Sequence, residues 1–159
     1  MKVALIGSTG YIGSKIKYWF QKNNTDFIPI SYNTIFSNLF TTNIKLLKNK
    51  KIDFILNAAG FIGKPTVDYC EDHKPECYQG NVILPALLTD LAQILNIPIA
   101  NISTGCIYNG YEKDFTEEDP PNFCFPTANC SYYSGCKELA ERVVSAYPKH
   151  YLLRIRIPF

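Results

Sequence analysis

The sequence predicts an α/β fold, a doubly wound parallel sheet covered by helices on both faces. Two observations carry this. Short apolar runs of strand length alternate with longer stretches of helical periodicity, the order that a parallel sheet with crossover helices requires. A glycine-spaced turn, Gly7-Ser8-Thr9-Gly10-Tyr11-Ile12-Gly13, joins the first run to the first periodic stretch, where such sheets hold phosphates. A length of 159 residues with 47% hydrophobic and 19% charged content fits one soluble domain with its own core.

The elements follow in order. Residues 2–6 form the first strand. Tyr11–Lys22 sets Ile12, Ile16, Trp19 and Phe20 on one helical face. Phe27–Ile30 is the second strand. Patterning is weakest over residues 33–51, with a helix near 42–50. The third strand spans 52–56 and runs into Asn57-Ala58-Ala59-Gly60. Residues 75–95 read as a helix with Leu84, Leu87, Leu88, Leu91 and Leu95 inward, disturbed locally at Pro85. The fourth strand, 97–102, delivers Ser103, Thr104 and Cys106 to the carboxyl edge of the sheet, where open α/β sheets bind ligands. The polar loop 109–129 is long for a connection and reads as functional or as a lid. The next helix has the clearest period, with Cys136, Leu139, Ala140, Val143, Val144 and Tyr147 on its inner face. Residues 151–157 form a fifth strand.

Bulk properties exclude several classes. A net charge of +2 is far from the basic surface of a nucleic-acid binder. No apolar run approaches the ~20 residues that cross a bilayer, and the first apolar stretch is too short for a signal peptide. The six cysteines form no disulfide framework, which favours a reduced, cytoplasmic setting. Cys70 and Cys77 lack the second close pair that a metal site needs, so no metal is expected. His73 and His150 read as surface or capping residues, and Glu117, Glu118 and Asp119 as a solvated loop.

The glycine turn carries the first chemistry. Gly7 permits the tight turn, Gly10 lets the backbone approach a pyrophosphate, and Gly13 allows close helix packing. Thr9, Tyr11 and Ile12 complete the cradle at the helix N-terminus. Its spacing is G-x-x-G-x-x-G, and its place between strand and helix makes it a Rossmann-type phosphate loop. The second strand ends in Ile30-Ser31-Tyr32-Asn33, with no carboxylate for the ribose 2′-hydroxyl of NAD. Ser31, and more weakly Lys15, are candidates beside a 2′-phosphate. NADP is therefore favoured, with NAD open.

The second chemistry lies further on. Tyr133 and Lys137 are four apart on the most regular helix and share a face. A nearby ammonium is expected to lower the phenol pKa from ~10 and fit it for proton transfer. Thr104 supplies a hydroxyl at the sheet edge, and Tyr108 reads as a pocket-lining ring.

Together these residues resemble the extended short-chain dehydrogenase/reductase superfamily over essentially the whole chain. Thr104, Tyr133 and Lys137 match its Ser/Thr–Tyr–Lys triad, Asn57-Ala58-Ala59-Gly60 its cofactor-contacting turn, and Asn81 the helix asparagine behind the triad. The stretch from Asn57 to Glu71 is similar to the dTDP-4-dehydrorhamnose reductase branch. It is closer still to the bifunctional UDP-4-keto-6-deoxyglucose epimerase/reductases of rhamnose synthesis. Those also carry Thr-Gly-Cys-Ile (here 104–107), a Glu-Glu-Asp-x-Pro-Asn-Phe loop (here 117–123) and Leu-Arg-x-Arg-x-Pro (here 153–158).

The resemblance implies a nucleotide-sugar substrate, UDP- or dTDP-linked, reduced at a 4-keto group after epimerisation at C3 and C5. Cys106 matches the family's epimerase cysteine, and Pro158 a residue at the cofactor. It implies pairing through the helix of Tyr133 and the helix before it, hence a possible homodimer. The family's partner lysine and substrate domain fall beyond Phe159. Residues 1–159 are thus expected to be the NAD(P)-binding domain of something longer, with the C-terminal substrate domain missing. The alternatives are a monofunctional dTDP-4-dehydrorhamnose reductase and a non-catalytic, NADP-binding regulatory subunit.

Overall fold

The computed structural model describes residues 1–110 and 114–156. Five parallel strands, β1 (Val3–Ile6), β2 (Phe27–Ile30), β3 (Phe54–Asn57), β4 (Ile99–Thr104) and β5 (His150–Ile155), form one sheet in the order β2-β1-β3-β4-β5. The chain leaves β2 on one side of β1 and re-enters as β3 on the other. The strand order therefore reverses between β1 and β3, and the ligand crevice of such a sheet opens at that point, beyond the carboxyl ends of the strands.

The helices are α1 (Tyr11–Lys22), α2 (Tyr32–Ser37), α3 (Phe40–Asn49), α4 (Tyr69–Asp72), α5 (Lys74–Tyr78), α6 (Leu84–Leu95) and α7 (Tyr132–Ser145). Ala4, Ile6, Ile55 and Ile99 meet Leu84, Leu88, Leu91 and Val144 on one face of the sheet. On the other, Val3, Leu5, Leu56 and Ala100 pack against Ile16 and Phe20 of α1. A third cluster, away from the sheet centre, joins Cys70, Cys77, Val82, Tyr133 and Cys136. All six cysteines are free thiols.

Several boundaries differ from the sequence expectation for physical reasons. The expected single helix over 75–95 is α5 and α6 joined by one π turn, Gln79–Ile83. Pro85 has no N–H to give to the carbonyl four residues back, and the widened turn stands just before it. β4 begins two residues later than expected and runs on through Thr104. The Ile97 N–H is bonded to Ala92 instead, closing the end of α6. Trp19, expected inward, is 57% exposed. Helix α2 was not expected; Ser31 starts it by accepting the Asn33 N–H at 3.2 Å. Among the described residues no helix is long and apolar enough to cross a membrane.

Candidate active site

The glycine turn sits where the strand order reverses. Gly7 has φ +79°, and a Cβ there would lie 2.6 Å from the Ala59 backbone. The turn thus packs directly on Asn57-Ala58-Ala59-Gly60. That second turn is held by its own side chain: Asn57 Oδ1 accepts the Ala59 N–H at 3.1 Å, and Asn57 Nδ2 donates to Asn101 Oδ1 at 2.7 Å. Gly13 is buried, and a Cβ on it would meet the Gly7 carbonyl oxygen at 2.1 Å. Its close approach is to the loop's own backbone, where packing on the sheet was expected.

Gly10 differs from both. It is exposed, and the only heavy atom within 4 Å of a Cβ placed there lies at 3.5 Å. The fold has room for a side chain at Gly10, so its lack of one matters only toward an incoming group. No side chain caps α1, and its first turn holds no acid. An anion is thus offered free N–H groups and a positive helix end. Thr9 is exposed on the same loop, with Tyr11 and Ile12 opening the helix. Ser31 is exposed at the carboxyl end of β2, its oxygen engaged in capping α2. Lys15 lies with its ammonium 5.3 Å from the Tyr11 ring centre. These residues fit a dinucleotide. Pro158 lies outside the described residues.

At the end of β4, three expected residues come together. The Thr104 hydroxyl oxygen accepts the Cys106 N–H at 3.1 Å, starting the 3-10 turn Gly105–Ile107. The Cys106 carbonyl accepts from Ser134 Oγ at 2.7 Å, so both backbone groups of Cys106 are fixed. Ser131 caps α7 through the Ser134 N–H at 3.1 Å. Tyr133, the second residue of α7, brings its hydroxyl near Thr104 and lies beside Cys106. Asn81, in the π turn, grips Phe61 by accepting its N–H at 3.1 Å and donating to its carbonyl at 2.6 Å. A π turn at such a place is a frequent mark of a functional site.

Lys137 is placed differently from the expectation. It is buried, and its Nζ donates to the Ile102 carbonyl at 2.8 Å. Burial lowers its pKa to about 8, opposed by the Glu141 carboxylate. Tyr133 shows the reverse of the expected shift. Burial pushes its pKa up, Cys106 adds to this, and the nearby Thr104 hydroxyl only partly offsets it. The phenol therefore holds its proton well above neutral pH.

The remaining cysteines divide clearly. Cys70, Cys77 and Cys136 are wholly buried in the apolar cluster, and burial pushes the Cys70 thiol up to about 12. No group of three His, Cys, Asp or Glu side chains among the described residues is arranged to hold a metal. His73 and His150 each bond a backbone carbonyl through Nδ1, of Tyr69 at 3.0 Å and Tyr147 at 2.6 Å.

Sequence patterning did not single out Glu141, Arg154 or Gly135. Buried Glu141 and half-buried Arg154 form an ion pair at 2.8 Å beside the end of β4. Arg154 also bonds the Tyr108 hydroxyl at 2.5 Å, just before the 109–129 loop, and the Glu117 carbonyl within it at 2.9 Å. That loop and the end of β5 border an open cavity of about 520 Å³ lined by Gly105, Tyr108, Phe115, Arg154 and Arg156. Gly135 seats the Phe125 ring, which a Cβ would meet at 2.5 Å. The usable signal for Glu141 was its place one turn after Lys137 on the buried side of α7.

The model of a family described as the RmlD substrate binding domain matches residues 1–159. The chain is 30% identical over 165 residues to a trifunctional UDP-glucose 4,6-dehydratase/UDP-4-keto-6-deoxy-D-glucose 3,5-epimerase/UDP-4-keto-L-rhamnose-reductase of Arabidopsis thaliana, covering 99% of this chain and 24% of that protein. It is 34% identical over 119 residues to a bifunctional dTDP-4-dehydrorhamnose 3,5-epimerase/dTDP-4-dehydrorhamnose reductase of the same plant, covering 70% of this chain and 38% of that one. Among solved structures, a UDP-rhamnose synthase from Acanthamoeba polyphaga mimivirus superposes with a TM-score of 0.84 at 27% identity, over 100% of this chain and 57% of that one. The chain thus spans a quarter to rather more than half of these relatives' length.

Proposed function

The chain belongs to the RmlD substrate binding domain family, and from that premise we propose that residues 1–159 form the cofactor-binding and proton-transfer domain of a nucleotide-sugar 4-keto reductase of rhamnose synthesis. The observation that carries this is the pair of neighbouring hydroxyls, Thr104 and Tyr133, at the carboxyl edge of β4.

NADPH, with NADH the alternative, is the proposed cofactor. Gly7, Thr9, Gly10, Tyr11, Ile12 and Gly13 would hold its pyrophosphate, and Asn57, Ala58, Ala59 and Gly60 would line the crevice beside it. When bound, it supplies the hydride that reduces C4 of a UDP- or dTDP-4-keto-6-deoxyhexose. Thr104 and Tyr133 direct their hydroxyls at the C4 carbonyl oxygen, and stabilise the negative charge that develops there. Tyr133 then gives its proton to that oxygen. The raised phenol pKa suits this direction of reaction, because the donor arrives protonated. Lys137, one turn on from Tyr133 in α7, would support the phenolate left after transfer and, on leaving the Ile102 carbonyl, hold a cofactor ribose.

Cys106 is proposed as an acid/base in 3,5-epimerisation. Protons at C3 and C5 lie α to the C4 carbonyl, and their loss gives an enolate that the two hydroxyls stabilise. The half-buried thiol sits beside Tyr133 on a turn fixed at both backbone groups.

The test uses the whole encoded protein with NADPH and the NDP-4-keto-6-deoxyglucose in deuterated water. The expected product is NDP-L-rhamnose carrying deuterium at C3 and C5. Cys106→Ala is expected to lose that deuterium while still reducing a pre-epimerised 4-keto sugar. No NADPH consumption with the pre-epimerised sugar overturns the reductase reading. Full exchange in Cys106→Ala removes the cysteine from the reaction.

A further inference from the structure

Two arginines, Arg154 and Arg156, stand at the carboxyl end of β5, and both line the open cavity beside the 3-10 turn. The fold uses them differently. The Arg154 guanidinium is ion-paired with Glu141 at 2.8 Å and donates to the Tyr108 hydroxyl and to the carbonyls of Glu117 and Asp119. Its charge is neutralised and its donors are taken. Arg156 lies one residue past the end of β5 and is exposed. Among the described residues no hydrogen bond or ion pair holds its guanidinium.

A solvated arginine on an open face would carry little meaning. This one is set against the turn that joins Thr104 to Cys106. A Cβ on Gly105 would lie 3.6 and 3.7 Å from Arg156 Cγ and Cδ, so the methylenes of Arg156 rest on Gly105. The arginine thus meets the cavity from the residue next to Thr104. The other charged residues lining that space are Arg154 and the acids Asp114 and Glu117. The acids offset any general pull on anions, so an anion held there depends on the Arg156 fork itself.

We propose that Arg156 binds the diphosphate of the nucleotide-sugar substrate, and that the cavity is the subsite for that part of the molecule. This rests on the reading of Thr104 and Tyr133 given above. In a hexopyranose, C1 bears the diphosphate and lies across the ring from C4. A cation serving the diphosphate therefore belongs one sugar ring away from the hydroxyls at C4. Arg156, resting on the neighbour of Thr104, stands in that range. A guanidinium presents parallel N–H groups to phosphate oxygens, and the added charge strengthens each bond. The glycine turn proposed for the cofactor pyrophosphate is elsewhere. It follows β1, and β3 separates β1 from β4 and β5.

The test titrates the whole encoded protein, saturated with NADP, with UDP and with dTDP in a calorimeter. In Arg156→Gln the affinity for the preferred nucleoside diphosphate is expected to fall about tenfold or more, with NADPH affinity and melting temperature unchanged. Arg156→Lys keeps the charge without the fork and is expected to fall between the two. Lys48→Gln, which removes an exposed charge on α3, is expected to bind as the native protein does. In turnover, the KM for the NDP-4-keto sugar should rise in Arg156→Gln with kcat nearly constant, because the diphosphate takes no part in the bond changes. Unchanged nucleoside diphosphate affinity in Arg156→Gln overturns the proposal, as does an equal fall in Lys48→Gln. A fall confined to NADPH also overturns it and gives the arginine to the cofactor. Binding that depends on Arg156 in a protein that reduces no 4-keto sugar supports the subsite and counts against the reductase reading instead.

Discussion

Tyr133→Phe is expected to lower the rate of 4-keto reduction by about 10²- to 10⁴-fold while NADPH binding and the fold stay intact. The ring of Tyr133 is 7% exposed and packs with Cys70, Cys77 and Cys136. Phenylalanine keeps that packing and removes only the hydroxyl. In the proposed reaction the lost groups are the proton for the C4 oxygen and one of the two donors at the carbonyl. The pH dependence separates this role from a passive one. Burial raises the Tyr133 pKa above its ordinary ~10, so the donor stays protonated through neutral and mildly alkaline pH. Loss of activity on the alkaline side should therefore follow Lys137, which titrates near pH 8, well before the phenol ionises. Steady-state kcat from pH 6 to 10, with NADPH affinity measured in parallel by fluorescence, checks both parts. A Phe variant within threefold of the native rate would remove Tyr133 from the chemistry.

The order of elements was legible because β1 to β4 are short, mostly apolar runs, and α7 keeps a regular period through Cys136, Ala140 and Val144. Capping, which hydropathy does not record, hid α2: six residues start on the Ser31 side chain. The true end of β4 was hidden similarly. Ser103 and Thr104 are polar yet buried, because Glu141 and the 3-10 turn satisfy them. At the site, spacing correctly brought Thr104 and Tyr133 to one edge. It misjudged Lys137, since an i, i+4 relation sets which face a side chain leaves from and not which acceptor it finds. Here the Ile102 carbonyl lies within reach, and burial of the phenol outweighs any help from the ammonium. Patterning gave no reading of Glu141, and Arg154 entered only through the 153–158 motif. Only the packing of α7 on β4 and β5 shows them to be one ion-paired unit.

Substitution of Gly13 and of Gly10 by alanine should fail in opposite ways. At Gly13 a Cβ would lie 2.1 Å from the Gly7 oxygen and 2.8 Å from the Gly7 carbonyl carbon. Both are backbone atoms, and Gly7 is itself pinned against Ala59 at 2.6 Å and held at φ +79°. No flexible side-chain end is available to swing aside, so β1, α1 or the turn between them must move. The cost belongs at the upper end of the overpacking range, about 3 kcal/mol. In a domain of this size that lowers the melting temperature by roughly 6–12 °C. At Gly10 the backbone has φ −71° and ψ 172°, which alanine adopts freely, and the nearest atom to a Cβ is at 3.5 Å. Stability should change by less than about 1 kcal/mol. The added methyl instead occupies the approach to the uncapped start of α1, so NADPH affinity is expected to fall at least tenfold, about 1.4 kcal/mol. Calorimetry and a cofactor titration on the two variants check this directly. If Gly10→Ala binds NADPH as tightly as the native protein, the pyrophosphate does not pass over Gly10, and the glycine turn is only a chain reversal. If Gly13→Ala keeps its melting temperature, the turn is softer than its backbone contacts imply, and the crevice between β1 and β3 is not a preformed cradle.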